Sequence, residues 1–128
     1  MAKLAIPSPT ELSILKTLWQ QTPLSAKEIH TEVEDQLQWS FSSTRKTLDR
    51  MVEKQLLGTK QVHGVRVFSP KQNKLQTLAI FAFDFARRIV EIDGPLPASM
   101  FVDSKLLNKS ELKELNKIIS ELEAGKDE

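Results

Sequence analysis

The spacing of apolar residues changes once in the first seventy positions, and where it changes leaves few folds open. Up to Lys54 the apolar residues recur at helical intervals; beyond it they form two short β-prone runs. Ser8-Pro9-Thr10-Glu11 is a helix start, with a capping serine, a proline suited to the first helical position and a glutamate that completes a capping box. Leu12, Leu15, Leu18 and Trp19 follow at helical spacing, and Pro23 stops the run. Ser25-Ala26-Lys27-Glu28 is a second capping box, with Ile29, Val33 and Leu37 striping the helix behind it. A third helix is expected within Trp39–Lys54. Then Leu57 to Gln61 and Val65 to Ser69 flank Val62-His63-Gly64, where Gly64 can supply the positive φ of a tight hairpin turn, and Pro70 ends the pair. The compact solution for helix, helix, helix, hairpin is a winged helix-turn-helix, a mainly α fold with a small β-hairpin. In that fold the third helix enters a DNA major groove and the hairpin lies along the backbone or minor groove.

The third helix has two faces. At 100° per residue Thr44, Leu48, Met51 and Val52 fall on one side, and Ser42, Ser43, Lys46 and Arg50 on the other. Ser42 is the expected N-cap, and Trp39 and Phe41 are expected to pack under the helix start as core. Arg45 and Lys46 occupy the first turn, where an acidic residue would complement the helix dipole. A solvated charged face explains these cations if the helix stands alone; in a winged-helix setting an external anion such as backbone phosphate explains them better. The net charge of +1 hides a division: residues 38–73 hold seven Lys/Arg against two Asp/Glu, net +5, and residues 74–128 hold eight against ten, net −2. A basic segment of this kind suggests a local polyanion surface.

Lys74 to Ile92 reads as a fourth helix that is too apolar for a surface position. Leu75, Leu78, Ala79, Ala82, Phe85, Ala86 and Ile89 form one broad face, widened by Ile80, Phe81 and Phe83. A domain of some seventy residues has its own core and cannot cover this helix on all sides, whereas a second copy of the chain could. Gly94-Pro95-Leu96-Pro97 breaks the helix, and Pro97 to Asp103 suits one short helical turn carrying Met100, Phe101 and Val102. Asn108-Lys109-Ser110-Glu111 then starts a last helix striped by Leu112, Leu115, Ile119 and Leu122. The expected organisation is a winged-helix domain over residues 1–72, a helical dimerisation region over 73–124 and a polar tail over 125–128.

Little in the chain supports catalysis. There is no cysteine, which excludes disulfides, thiolate metal sites and cysteine nucleophiles. His30 and His63 sit in different elements, and neither has a carboxylate partner at a spacing that suggests zinc; no metal or cofactor is expected. Four glycines form no phosphate loop, so the chain is read as non-enzymatic. Leu75 to Val90 is too short and too charged to span a bilayer, and the first residues lack the apolar run of a signal peptide, so a cytoplasmic location is expected.

The stretches PSPTELSILKTLW, AKEIH, WSFSSTRKTLDRMVEKQLL and the hairpin ending VRVFSP resemble the penicillinase-repressor family of winged-helix regulators, the BlaI/MecI/CopY group. The likeness covers about residues 7–70 closely and 71–123 more loosely. It implies a homodimeric repressor on a pseudo-palindromic operator, often with TACA/TGTA half-sites. In some members a membrane zinc-metalloprotease sensor triggers cleavage in the dimerisation region, ahead of the phenylalanine of an Asn-Phe pair. The matching position here is Met100-Phe101, which keeps the phenylalanine and lacks the asparagine. The cysteine pairs of copper-responsive members are absent. Thr44 and Thr47 stand where the family often has aliphatic residues, implying a base preference that differs from the standard operator.

Together these readings favour a dimeric, sequence-specific repressor of double-stranded DNA. Ser42, Ser43, Arg45 and Lys46 are expected at bases or adjoining phosphates, and Arg50, Lys60, His63 and Arg66 at the backbone. Leu78, Phe81, Ala82, Phe85, Ile89, Leu112, Leu115 and Ile119 are the expected dimerisation residues. The alternative is a winged-helix protein-interaction module without specific DNA binding.

Overall fold

The structure, a computed structural model, describes residues 6–94 and 98–125. Its elements run α1 (Pro9–Gln20), β1 (Leu24–Ser25), α2 (Ala26–Leu37), α3 (Phe41–Glu53), β2 (Leu57–Val62), β3 (Val65–Pro70), α4 (Lys74–Asp84), a π-turn (Phe85–Ile89), a 3-10 turn (Ala98–Phe101) and α5 (Lys109–Gly125). The chain divides into two compact units, Met1–Gln72 and Asn73–Glu128. The expected break at Pro95-Leu96-Pro97, the first five residues and tail residues 126–128 lie outside the described residues.

The first unit is a winged helix-turn-helix. Ile14, Leu15 and Leu18 of α1, Ile29 and Val33 of α2, and Leu48 and Met51 of α3 meet Leu56, Leu57 and Phe68 in one buried core. The strands form an antiparallel sheet in the order β1-β3-β2, with Leu24 opposite Phe68 and Lys60 opposite Val67. β1 is an addition to the expected hairpin: two residues are too few to show a strand's alternation. The hairpin turns on His63 and Gly64, both at positive φ (50° and 79°), so the histidine shares the left-handed backbone assigned above to the glycine alone. A two-residue loop with both residues left-handed matches the right-handed twist of the strands it joins.

In the first unit the expected capping boxes at Ser8 and Ser25 form. Ser8 Oγ accepts the Glu11 N–H at 3.3 Å while Glu11 Oε1 accepts the Ser8 N–H at 2.8 Å, and Ser25 and Glu28 repeat the arrangement at 3.2 and 2.9 Å. In α3 the cap differs from expectation. Ser40, not Ser42, caps the helix, its hydroxyl accepting the Ser43 N–H at 3.2 Å. Ser42 is already inside the first turn, because Ser40 is the first serine after the half-buried Trp39 and takes the free N–H first. α3 ends with Gln55 at φ 66°: the Leu56 N–H reaches Met51 O at 2.8 Å and the Gln55 N–H reaches Val52 O at 3.1 Å. That is a Schellman motif with glutamine where glycine is usual.

Glu11 also ties α1 to the far end of α3, accepting Lys54 Nζ at 2.9 Å. Burial of Glu11 pushes its pKa upward, but the Ser8 backbone N–H and the Lys54 ammonium outweigh this and hold the carboxyl below the usual carboxylate range. A lowered folded-state pKa means stability that is present above the unfolded-state pKa and lost as the pH falls through the folded one. Glu11→Gln, which keeps an acceptor for Ser8 but loses the charge, is therefore expected to be less stable than wild type at neutral pH. The difference should close as the pH is lowered into the acid range. Denaturant melts of the two proteins across pH check it, and a gap that widens toward acid would be the wrong sign.

In the second unit α4 packs on α5. Ala79, Leu115 and Ile119 are the buried centre, with Leu78, Ala82, Phe101, Leu107, Ile118 and Leu122 packed around it. Asn73 caps α4, and Asn108 and Glu111 form the expected box at α5, at 2.8 and 3.1 Å. Glu111 is held below the usual carboxylate range by the Asn108 N–H and then by Lys74 at 3.2 Å. The expected single helix to Ile92 is corrected: regular α-helix ends at Asp84 and continues as a π-turn. Arg87 closes that end, its guanidinium donating to Ile92 O and Gly94 O and lying 4.8 Å from the Phe83 ring.

Candidate nucleic-acid interface

α3 sets its apolar side into the core and leaves the opposite side open. Thr44, Thr47, Leu48 and Met51 are buried; Ser42, Arg45, Lys46, Asp49 and Arg50 are exposed, and Ser43 is half-buried. Thr44 and Thr47, which stand where the family often has aliphatic residues, face the core and not outward. Among the described residues Lys46, Arg50 and Lys60 form no ion pair, so their charges are free for an outside anion. Lys60, His63 and Arg66 stand exposed on the β2–β3 hairpin, with Val62 and Val65 exposed at its tip.

Helix and hairpin enclose a groove of about 340 Å³, lined by Ser25, Ala26 and Lys27 at the start of α2, by Phe41, Arg45 and Asp49 of α3, and by Val65, Arg66 and Phe68 of β3. A shallower depression of about 320 Å³ lies along α3 itself, among Phe41, Ser42, Arg45, Lys46 and Asp49. Of the candidate residues, Arg45 and Arg66 line the groove, Ser42 and Lys46 join Arg45 at the depression, and Ser43, Arg50, Lys60 and His63 line neither. Arg66 is also held: its Nη1 donates to Asp49 Oδ1 at 3.0 Å, and its guanidinium lies 4.8 Å from the Phe68 ring.

Phe41 corrects the sequence reading. Trp39 packs against the core as expected, but Phe41 is 38% exposed and forms part of the groove wall. Its ring meets His30 edge-on at 5.5 Å, and the Arg45 guanidinium lies 6.0 Å from its centre. His30, on α2, has a carboxylate partner one helical turn on and a hydroxyl partner on α3. Its Nε2 contacts Glu34 Oε2 at 3.0 Å and its Nδ1 contacts the Thr44 hydroxyl at 2.7 Å. Through these two contacts His30 ties α2 to the first turn of α3. The four-residue step from His30 to Glu34 was the available signal; the link to Thr44 is tertiary and has none.

The expected dimerisation residues divide. Leu115 and Ile119 are buried in the second unit's own core, Leu78 and Ala82 pack against it, and Phe81 and Leu112 are half-buried. Phe85 and Ile89 are 45% and 68% exposed, with Val90 exposed beside them. Met100 is exposed and Phe101 packs inward, at the 3-10 turn. No helix among the described residues is long and apolar enough to cross a membrane.

A comparison with curated proteins finds no match. A family profile described as "Penicillinase repressor" matches residues 7–121, nearly the whole chain and both structural units. With a winged helix whose third helix presents unpaired cations, the chain belongs to the penicillinase-repressor family of DNA-binding transcriptional repressors.

Proposed function

We propose that the chain is a homodimeric repressor that reads a pseudo-palindromic operator. The observation that supports this most is the outward face of α3, where Arg45, Lys46 and Arg50 stand exposed behind a Ser40 cap with no acidic residue in the first turn. The free N–H groups and positive end of the helix dipole favour an anion there. In this reading Lys46 and Arg45 meet guanine O6/N7 edges, Ser42 and Ser43 meet bases or adjoining phosphates, and Arg50, Lys60, His63 and Arg66 position the backbone. The second unit joins two copies through the apolar surface at Phe85 and Ile89, so that two recognition helices can stand about 34 Å apart, one turn of DNA. Cleavage at Met100–Phe101 would separate α5 from α4 and open the core they share, which is a physical route to relief of repression.

The test is affinity for the DNA upstream of its own coding sequence against scrambled DNA of equal length, over a salt series. A large preference with a steep salt slope is expected. Weak and equal binding to both would identify a winged-helix interaction module instead.

The two kinds of contact separate by mutation. Lys46→Ala is expected to lose about 1–3 kcal/mol on the operator and to relax the base preference at one position. Lys60→Ala is expected to weaken operator and scrambled DNA alike and to flatten the salt slope by about one. Equal losses on both DNAs from both variants would overturn this division of roles.

A further inference from the structure

The recognition face carries a carboxylate that the contacts proposed above do not use. Phe41, Arg45 and Asp49 follow one another at four-residue steps and line the same groove wall. Asp49 also lines the depression shared with Ser42, Arg45 and Lys46, the side chains proposed to face bases. Arg45 is one helical turn away from it, yet among the described residues Asp49 pairs with Arg66 on β3 and not with Arg45. Both members of the Asp49–Arg66 pair are exposed, so it adds little to folding. Its effect falls on binding, because a carboxylate facing a polyanion lowers affinity by repulsion.

Each member has a second partner open to it. A phosphate beside the hairpin can take Arg66 only by displacing Asp49. A carboxylate in the major groove is the matching acceptor for the exocyclic amine of cytosine. We infer that Asp49 sets the specificity of this repressor by exchanging between Arg66 and a cytosine amine. On random DNA the carboxylate keeps Arg66 and holds it off the phosphates. Where a cytosine amine reaches Asp49, the carboxylate turns to the base and Arg66 takes up a phosphate. Base recognition by α3 is thereby coupled to the backbone grip of β3. This rests on the DNA-binding reading above and assigns Asp49 a role within it.

The test uses the full chain as wild type, Asp49→Ala, Asp49→Asn, Arg66→Gln and the double variant Asp49→Ala/Arg66→Gln. Each is titrated, over a salt series, against a duplex selected by the wild type from a random pool and against its scrambled form. For the wild type the logarithmic salt slope should be steeper on the selected duplex by about 0.9, one phosphate more. Asp49→Ala and Asp49→Asn should bind scrambled DNA about three- to fivefold more tightly and with a slope steeper by the same step. In the Asp49→Ala background Arg66→Gln should remove the gain on scrambled DNA. One cytosine position of the selected duplex should lose its preference by about fivefold or more in Asp49→Ala.

Unchanged or reduced affinity of Asp49→Ala for scrambled DNA overturns the inference. So does a gain that survives removal of Arg66, which would be bulk charge relief, or a set of cytosine preferences untouched by either variant. If the wild type binds with salt dependence and preference while these arms fail, only the exchange is wrong. If the wild type binds neither duplex in a salt-dependent way, the DNA-binding reading fails and the exchange with it. Thermal melts of the variants, expected to match the wild type at so exposed a site, keep misfolding out of the comparison.

Discussion

Phe85→Asp is expected to leave a folded 14.5 kDa monomer that has lost operator binding by about two to four orders of magnitude. Phe85 lies in the π-turn that follows α4, at 45% exposure, beside the more exposed Ile89 and Val90. None of the three belongs to the core that α4 and α5 share, so an aspartate there leaves the second unit's own packing in place. Across an interface the same aspartate would be a charge buried without a partner, which association cannot tolerate. The loss on DNA follows from linkage, because two half-sites bound by one joined molecule gain an effective concentration that two separate chains lack. Sedimentation at micromolar concentration, with operator titration of the same sample, checks both halves. A wild-type chain that is itself monomeric, or a variant that stays dimeric, would contradict the assignment of this surface.

Leu48→Ala is expected to do the opposite: to spare the outward face of α3 while removing about 2–5 kcal/mol of stability from the first unit. Leu48 is fully buried between the two residues that flank it in the core, Thr44 and Met51, and packs with α1, α2 and the sheet. A unit of this size has only about 5–15 kcal/mol in total, so a single cavity consumes much of it. The loss of DNA binding should therefore track the unfolded fraction, recovering on moderate cooling, with base preference unchanged in the part that remains folded. Lys46→Ala, two residues away on the same helix, should show full stability and altered preference. Denaturant midpoints and operator titrations of the two variants form the check. A Leu48→Ala protein as stable as wild type would mean that the core has been drawn in the wrong place.

The sequence showed most clearly what is local. The caps at Ser8, Ser25 and Asn108 could be read because a capping box needs only residues three apart, and the stripes on α2 and α5 because burial follows a single period; on α1 the core takes Ile14 in place of the expected Leu12. The cap of α3 was misplaced by two residues because Ser40, Ser42 and Ser43 offer the same hydroxyl, and the choice falls to where the preceding chain is anchored. β1 carries no pattern in two residues; its strand character comes from Phe68 and Val67 opposite. The apolar face of α4 is wider than one helix can cover: α5 covers the Ala79 side and leaves Phe85 and Ile89, and the pairing of two helices has no signal in either one alone. At the candidate interface the cations of α3 and the hairpin were legible one by one. The Asp49–Arg66 pair and the His30–Thr44 link were not, since each joins elements whose approach only the folded chain decides.

The recognition helix is moored near both ends. His30 holds Thr44 in its first turn, and Glu11 holds Lys54 just past its last. Neither mooring lies on α3 itself: one partner belongs to α2 and the other to the first turn of α1. A transplant of residues 41–53 alone into another winged helix would carry the reading residues but neither anchor, and the grafted helix would settle at whatever tilt its new host imposed. To move the address of this repressor to a new scaffold, His30 and Glu11 have to travel with the helix they never follow in sequence.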